Sequence, residues 1–510
     1  MNKIDNAVLV DSAAGLLSAV ASPDTRTITV ATTIEGLPTV VLRPGAQLVG
    51  RGDAVLRFAA GADGIRLSRD NAVDGLRIEV DPDRRAIYND TAVADLGRLE
   101  LADLVVVGQI QILANTMVRA GHIECSCVDV EFADVRGRTE CPTSYGVRTR
   151  QGAFTIWNQQ QGPESLLTTR IRGLSIGRAD RPVRGSGVFI SGGGDERFGS
   201  RGRVEADLVE LGEIYIDGGI ATGVQDLITS GVFFGYGAHI EYAIDAGSVT
   251  TFGVNDMILD AWGVVDRWDV RGPLLSTGSS GNGIINFGHI EHISLTAPIE
   301  THGYGARAFN IYSGSVGTIE FQDVTTHGDG APAIQLSRPL GKLVVNGSIR
   351  THGSSGESLV KGVLTELAAN AINVEPGGSI AEILVTGDIS SDGDGISTVK
   401  IDDGEVWKLA VGGAISALGE ESVALEVHAS GVPMRDLVIT APNGIGVLMN
   451  RASFVSMNNV SITGRDGDLV ADGGISVIHS STTDESSIGG VDGNRFELTI
   501  RAGRVIAHTV

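Results

Sequence analysis

The sequence predicts an all-β solenoid, a parallel β-helix with an N-terminal capping helix. Three observations carry that expectation. Gly253, Gly278, Gly303, Gly328 and Gly353 recur every 25 residues, behind the rhyming segments VTTFG, LLSTG, IETHG, VTTHG and IRTHG. A fixed period of this length marks a repeat architecture. Within each segment an aliphatic residue (Val249, Leu274, Ile299, Val324, Ile349) stands two places before Thr or Ser (Thr251, Ser276, Thr301, Thr326, Thr351), the period-two signature of a strand. A second apolar column follows the glycine at Leu259, Ile284, Phe309, Ile334 and Leu359. Each unit therefore holds at least two short strands and has no room for a crossover helix. Such a unit cannot bury a core alone, but stacked coils about 4.8 Å apart can.

The elements follow in chain order. Residues 1–25 are expected to cap the first coil. There DNAVLVDSAAGLLSAVAS reads as an amphipathic helix with Val8, Leu9, Leu16, Leu17 and Val20 grouped, shielding an edge that would otherwise invite pairing. Residues 26–485 are expected to form the β-helix with loop excursions, opening with TITV, TVVLRPGAQLVG, AVLRFAAG and GIRLS. Looser copies continue at Ile389 (ISSDG), Ile415 (ISALG), Ile439 (ITAPNG) and Ile462 (ITGRDG). The 40-residue step from Ile349 to Ile389 marks an insertion, for which SLVKGVLTELAANAI reads as helix-like. Residues 486–510 are expected as a terminal coil or cap, within one structural domain.

This period and strand pattern resembles that of right-handed parallel β-helix proteins of the pectin-lyase-like superfamily, over most of the chain. The hexapeptide repeats of left-handed β-helices are absent. The resemblance implies a right-handed coil, a carbohydrate-active function and a homotrimer as one assembly state. It is architectural, and no motif names a family within the superfamily.

Composition narrows the partners. Lys and Arg number 39 against 62 Asp and Glu, so the net charge is 39 − 62 = −23. That argues against nucleic acid, whose phosphates need cations. It also disfavours a polyanionic polymer, unless a local basic patch or bound cation compensates. Cys125, Cys127 and Cys141 are too few for a disulfide framework and read as buried free thiols. Residues 1–25 carry neither a signal peptide nor a spanning run, so no membrane partner and a cytoplasmic location are expected. A secreted chain whose signal had been removed would read the same.

The repeat places residues of successive coils side by side. With the aliphatic and Thr/Ser columns pointing in, Phe252, Thr277, His302, His327 and His352 point out. On the following strand Asp260, Ile285, Asn310 and Gln335 form one outward column, and Trp262, Phe287 and Tyr312 another. Aromatic faces beside polar groups suit a sugar, whose C–H faces stack on rings. The competing reading places these aromatics under a loop or in a subunit contact. The histidines stand on coils about 5 Å apart, wider than ligands on one zinc, so no metal is assigned.

Glycoside chemistry needs two carboxylates, about 5–5.5 Å apart for retention and 6.5–9.5 Å for inversion. The catalytic candidates are Asp256, Asp260 and Glu300, with His302 beside Glu300 as an acid or base. The substrate-binding candidates are Trp157, Trp262, Arg307, Asn310, Tyr312, His327, Asp329 and Gln335. No serine nucleophile elbow, HExxH, EF-hand loop or CxxC pair occurs. The leading expectation is a glycoside hydrolase or glycosyl/fructosyl-transferring enzyme on a neutral saccharide, without cofactor. One alternative is a lyase or epimerase on uronate sugars, where Ca²⁺ would enter and His302 and Arg307 would matter more than the acids. The other is a non-enzymatic binding or structural solenoid.

Overall fold

A computed structural model of the chain describes residues 7–450, 453–472, 477–480, 496–501 and 504–509. The chain divides into two compact units, Met1–Arg271 and Gly272–Val510. Both consist of parallel β-helix coils, and one helix occurs among the described residues.

In the second unit one coil comprises Ile299–Thr301, Phe309–Ile311 and Ser315–Phe321, so the repeat carries three strands. Each stacks in parallel register on the next coil. Ile299, Val324, Ile349, Ile389 and Ile415 form one continuous column. Phe309, Ile334, Ile372, Val399 and Leu425 form a second. All ten side chains are fully buried. Enclosing an aliphatic or aromatic side chain of this size contributes about 1.5–3 kcal/mol, which is why short strands suffice. Thr301 and Thr326 point inward as expected, and their hydroxyls donate to Ala306 O (2.5 Å) and Ala331 O (2.7 Å) across the turn.

The glycine column has a steric cause. A Cβ on Gly328 would lie 2.1 Å from Gly303 O, and one on Gly353 2.0 Å from Gly328 O. Gly393 and Gly419 continue the series at 1.9 and 2.1 Å from the preceding glycine carbonyl. Coils touch at this corner, and no side chain fits between them.

The insertion after Ile349 is a β-hairpin rather than a helix. Ser355–Val360 pairs antiparallel with Val363–Ala368. Lys361 (φ 49°) and Gly362 (φ 79°) form its two-residue turn, the left-handed pair that matches strand twist. Leu359 consequently leaves the apolar column and sits in this hairpin, while Ile372 takes its expected place.

In the first unit the expected capping helix is shorter than predicted. Ala7–Val10 is a strand paired with Thr27–Val30, and the helix spans Ala13–Ala21. Ser12 caps it, accepting from Gly15 N, and Leu16 and Ala19 are buried. Val8 and Leu9 are exposed instead of joining the apolar face. Long strands such as Asp95–Val107, Ala120–Phe132 and Leu166–Ile176 turn a corner at Asp103, Cys127 and Gly173, all with positive φ. Cys127 is therefore exposed, and of the three thiols only Cys125 is buried. Of the expected C-terminal segment 486–510, residues 486–495, 502–503 and 510 lie outside the described residues. Phe496–Arg501 and Arg504–Thr509 pair antiparallel.

Candidate functional site

The outward columns point away from the coil interior, as predicted, yet most do not reach solvent. In the first unit Gln111, Thr155, Phe189, Phe233 and Asp260 stand in one register on the outer face of their sheet. Asp260 is fully buried. Its Oδ2 accepts a long 3.4 Å bond from Ser230 Oγ, and the Trp262 indole lies against the carboxyl. Burial pushes its pKa up to about 8. Trp262 is 2% exposed and packs edge-on against Tyr145, Tyr236 and Phe233 at 5.7, 6.0 and 5.2 Å. Trp157 is also buried, edge-on to Phe189 at 5.5 Å. The aromatic stripe of this unit lies under the segment carrying Tyr145, and the expectation of an exposed sugar-stacking face is corrected accordingly.

Asp256 is fully buried as well. It accepts from the Thr229 hydroxyl, Gly218 N (3.0 Å) and Gly253 N (2.7 Å). Burial raises its pKa to about 6 despite these bonds. A carboxylate tied to two backbone amides at a turn has a structural task. Asp245, which sequence reasoning did not single out, is a third enclosed acid. It accepts from Trp268 Nε1 at 2.7 Å, and burial raises it to about 7.

In the second unit the hairpin Ser355–Ala368 covers the middle strands. Arg307 is fully buried and donates from Nη2 to Leu359 O at 2.6 Å. Ser358 Oγ donates to Gly305 O (2.7 Å), and Leu359 N donates to Ser280 Oγ (3.3 Å). Tyr312 is buried, stacked on Phe287 at 5.0 Å, with the Arg307 and Lys361 cations 5.1 and 5.3 Å from its ring centre. Asn310 donates to Gln335 Oε1 at 3.0 Å, and both are buried. Arg307, Asn310, Tyr312 and Gln335 thus belong to a covered polar layer rather than an open binding face. Asp329 is exposed, but its Oδ1 accepts from Ser354 N (2.8 Å) and ties one turn to the next. Lys361 was missed at the sequence level because its segment reads as helix.

Glu300, His302 and His327 are the predicted residues that do reach solvent together. Their side chains are 43%, 42% and 33% exposed. Glu300 Oε1 lies 2.9 Å from His302 Nε2 and 2.8 Å from His327 Nε2. The two imidazoles stack at 4.2 Å with 3° between planes. His352 follows on the next coil at 4.8 Å, turned toward Asp392 (2.6 Å).

A separate open groove of about 440 Å³ is lined by Val344, Leu384, Lys408, Ala410, Arg435 and Asp436, and contains none of the predicted site residues. No helix among the described residues is long and apolar enough to cross a membrane. No protein-family model, curated protein or solved structure matches this chain.

Proposed function

We propose that this chain is a non-catalytic β-solenoid, a binding or structural module, with saccharides as the first ligand class to test. One observation carries the reading. The acids and aromatics that glycoside chemistry would use, Asp256, Asp260, Trp262 and Tyr312, are enclosed, with Asp256 tied to backbone amides and both rings packed against neighbouring aromatics. A general acid or nucleophile must touch the glycosidic bond, and an enclosed carboxyl does not. The saccharide class itself rests on the architectural resemblance, and function does not follow from fold. The test is a paired screen of the purified chain against neutral oligosaccharides, fructans and uronate polymers. Binding is read by calorimetry and products by chromatography. The expected result is no product from any substrate; turnover would overturn the reading.

A second reading keeps the chain an enzyme on saccharides, because Glu300, His302 and His327 form an accessible acid–base group. Under it, turnover is present and Glu300→Gln abolishes it.

A further inference from the structure

We propose that Glu300, His302 and His327 form a binding site for a divalent transition metal of the zinc class. The inference goes beyond the binding-module reading and does not depend on it. One carboxylate oxygen and two imidazole nitrogens are offered, all within 4.8 Å of one another. This borderline N/O set suits zinc and its neighbours, whereas Ca²⁺ and Mg²⁺ prefer oxygen alone. Three protein ligands leave a fourth position open, the pattern of zinc sites that bind a water or a ligand.

The coil geometry explains why these atoms converge. His302 and His327 directly follow the equivalent strands Ile299–Thr301 and Val324–Thr326 on consecutive coils, each backbone N–H bonded to the coil before it, at Ser276 O and Thr301 O (both 2.9 Å). Each is followed by a corner glycine, Gly303 or Gly328, where adjacent coils touch and allow no side chain. The backbone beneath the site is therefore rigid, which pre-positions ligands. Sequence spacing alone puts the rings a full coil apart, but Glu300, in the strand Ile299–Thr301 that ends just before His302, brings its carboxylate to both. With metal–ligand bonds of about 2.0–2.1 Å, tetrahedral ligand atoms stand about 3.3 Å apart. The Glu300–histidine distances of 2.8 and 2.9 Å lie below that value, and the three ligand atoms all lie within 4.8 Å of one another. Small rotations of partly exposed side chains close the difference. His352 lies outside the three residues whose ligand atoms converge, and its Nδ1 faces Asp392. Arg350 shares the Glu300 column but stands two coils away, at about 10 Å.

The experiment uses the full chain, stripped with EDTA and dialysed, then titrated with ZnCl₂ by calorimetry and with CoCl₂ by visible absorption. The expected result is one Zn²⁺ per chain with Kd of about 1 µM or tighter, and a Co²⁺ band of four-coordinate intensity. His302→Ala, His327→Ala and Glu300→Gln should each weaken Zn²⁺ by about tenfold or more and flatten the Co²⁺ band. His352→Ala should leave both unchanged. Circular dichroism checks each fold, and His327→Gln replaces the alanine variant if that one unfolds. The proposal is overturned by the absence of saturable binding. It is equally overturned if affinity and spectrum persist in the His302→Ala/His327→Ala double variant, or if His352→Ala abolishes them.

Discussion

Asp260→Asn should make the protein more resistant to unfolding at neutral and alkaline pH, and the gain should grow with pH. The folded-state pKa is about 8, raised by complete burial, against an unfolded value of about 3.9. For a raised acid the sign is fixed. Below pH ~4 both states are protonated and the group imposes no penalty. Between pH ~4 and ~8 the unfolded chain ionises while the folded one holds its proton, so stability falls by about 1.4 kcal/mol per pH unit. At pH 7 the accumulated penalty is on the order of 4 kcal/mol, and above pH 8 it levels near 6 kcal/mol. Asparagine keeps the shape and a carbonyl to accept from Ser230 and Trp262, and it cannot ionise. Asp245 and Asp256 act in the same direction, with folded values of about 7 and 6, and remain in the variant. The assay is guanidinium unfolding of both proteins at pH 5, 6, 7 and 8, followed by far-UV circular dichroism. The difference in midpoint should widen steadily over that range. An equal difference at pH 5 and pH 8 would refute the assignment of Asp260 as a buried, proton-holding group.

Three further outcomes are expected. Gly328→Ala should cost about 1–3 kcal/mol of stability, because its Cβ would meet Gly303 O at 2.1 Å; Gly137→Ala, with nothing within 4 Å, is the neutral control, and equal melting points for both variants would sink the steric account of the glycine column. Arg307→Leu removes the bond to Leu359 O and should release the hairpin, read as faster tryptic cleavage after Lys361; an unchanged digestion rate would mean that other contacts hold it. Iodoacetamide should label exposed Cys127 well before Cys125, whose thiol is fully buried with its pKa raised by desolvation, and mass spectrometry showing equal rates would contradict the burial of Cys125.

Period and alternation were legible in the chain, and surroundings were not. The aliphatic column through Ile299 and Val324, the inward threonines and the outward histidines all follow from a 25-residue repeat read with period two. The insertion was visible as a broken period, but its form was misread, because SLVKGVLTELAANAI carries helix-forming residues on both sides of a Lys-Gly turn signal. Glu300 and the histidines were legible as two neighbouring outward columns, but spacing between coils says nothing about one carboxylate reaching both His302 and His327.

By itself, then, the sequence determined that the chain stacks coils, which residues face the coil interior, and where a glycine must stand. Strand alternation is a local rule, and these are its local consequences. Only the tertiary structure decided what lies over the outer faces. Arg307 meets Leu359 across 52 residues, and Tyr145 meets Trp262 from a distant segment of the same unit. No periodicity encodes such contacts. They turn outward-pointing Asp260, Trp262, Asn310 and Tyr312 into enclosed groups and leave Glu300, His302 and His327 open to solvent.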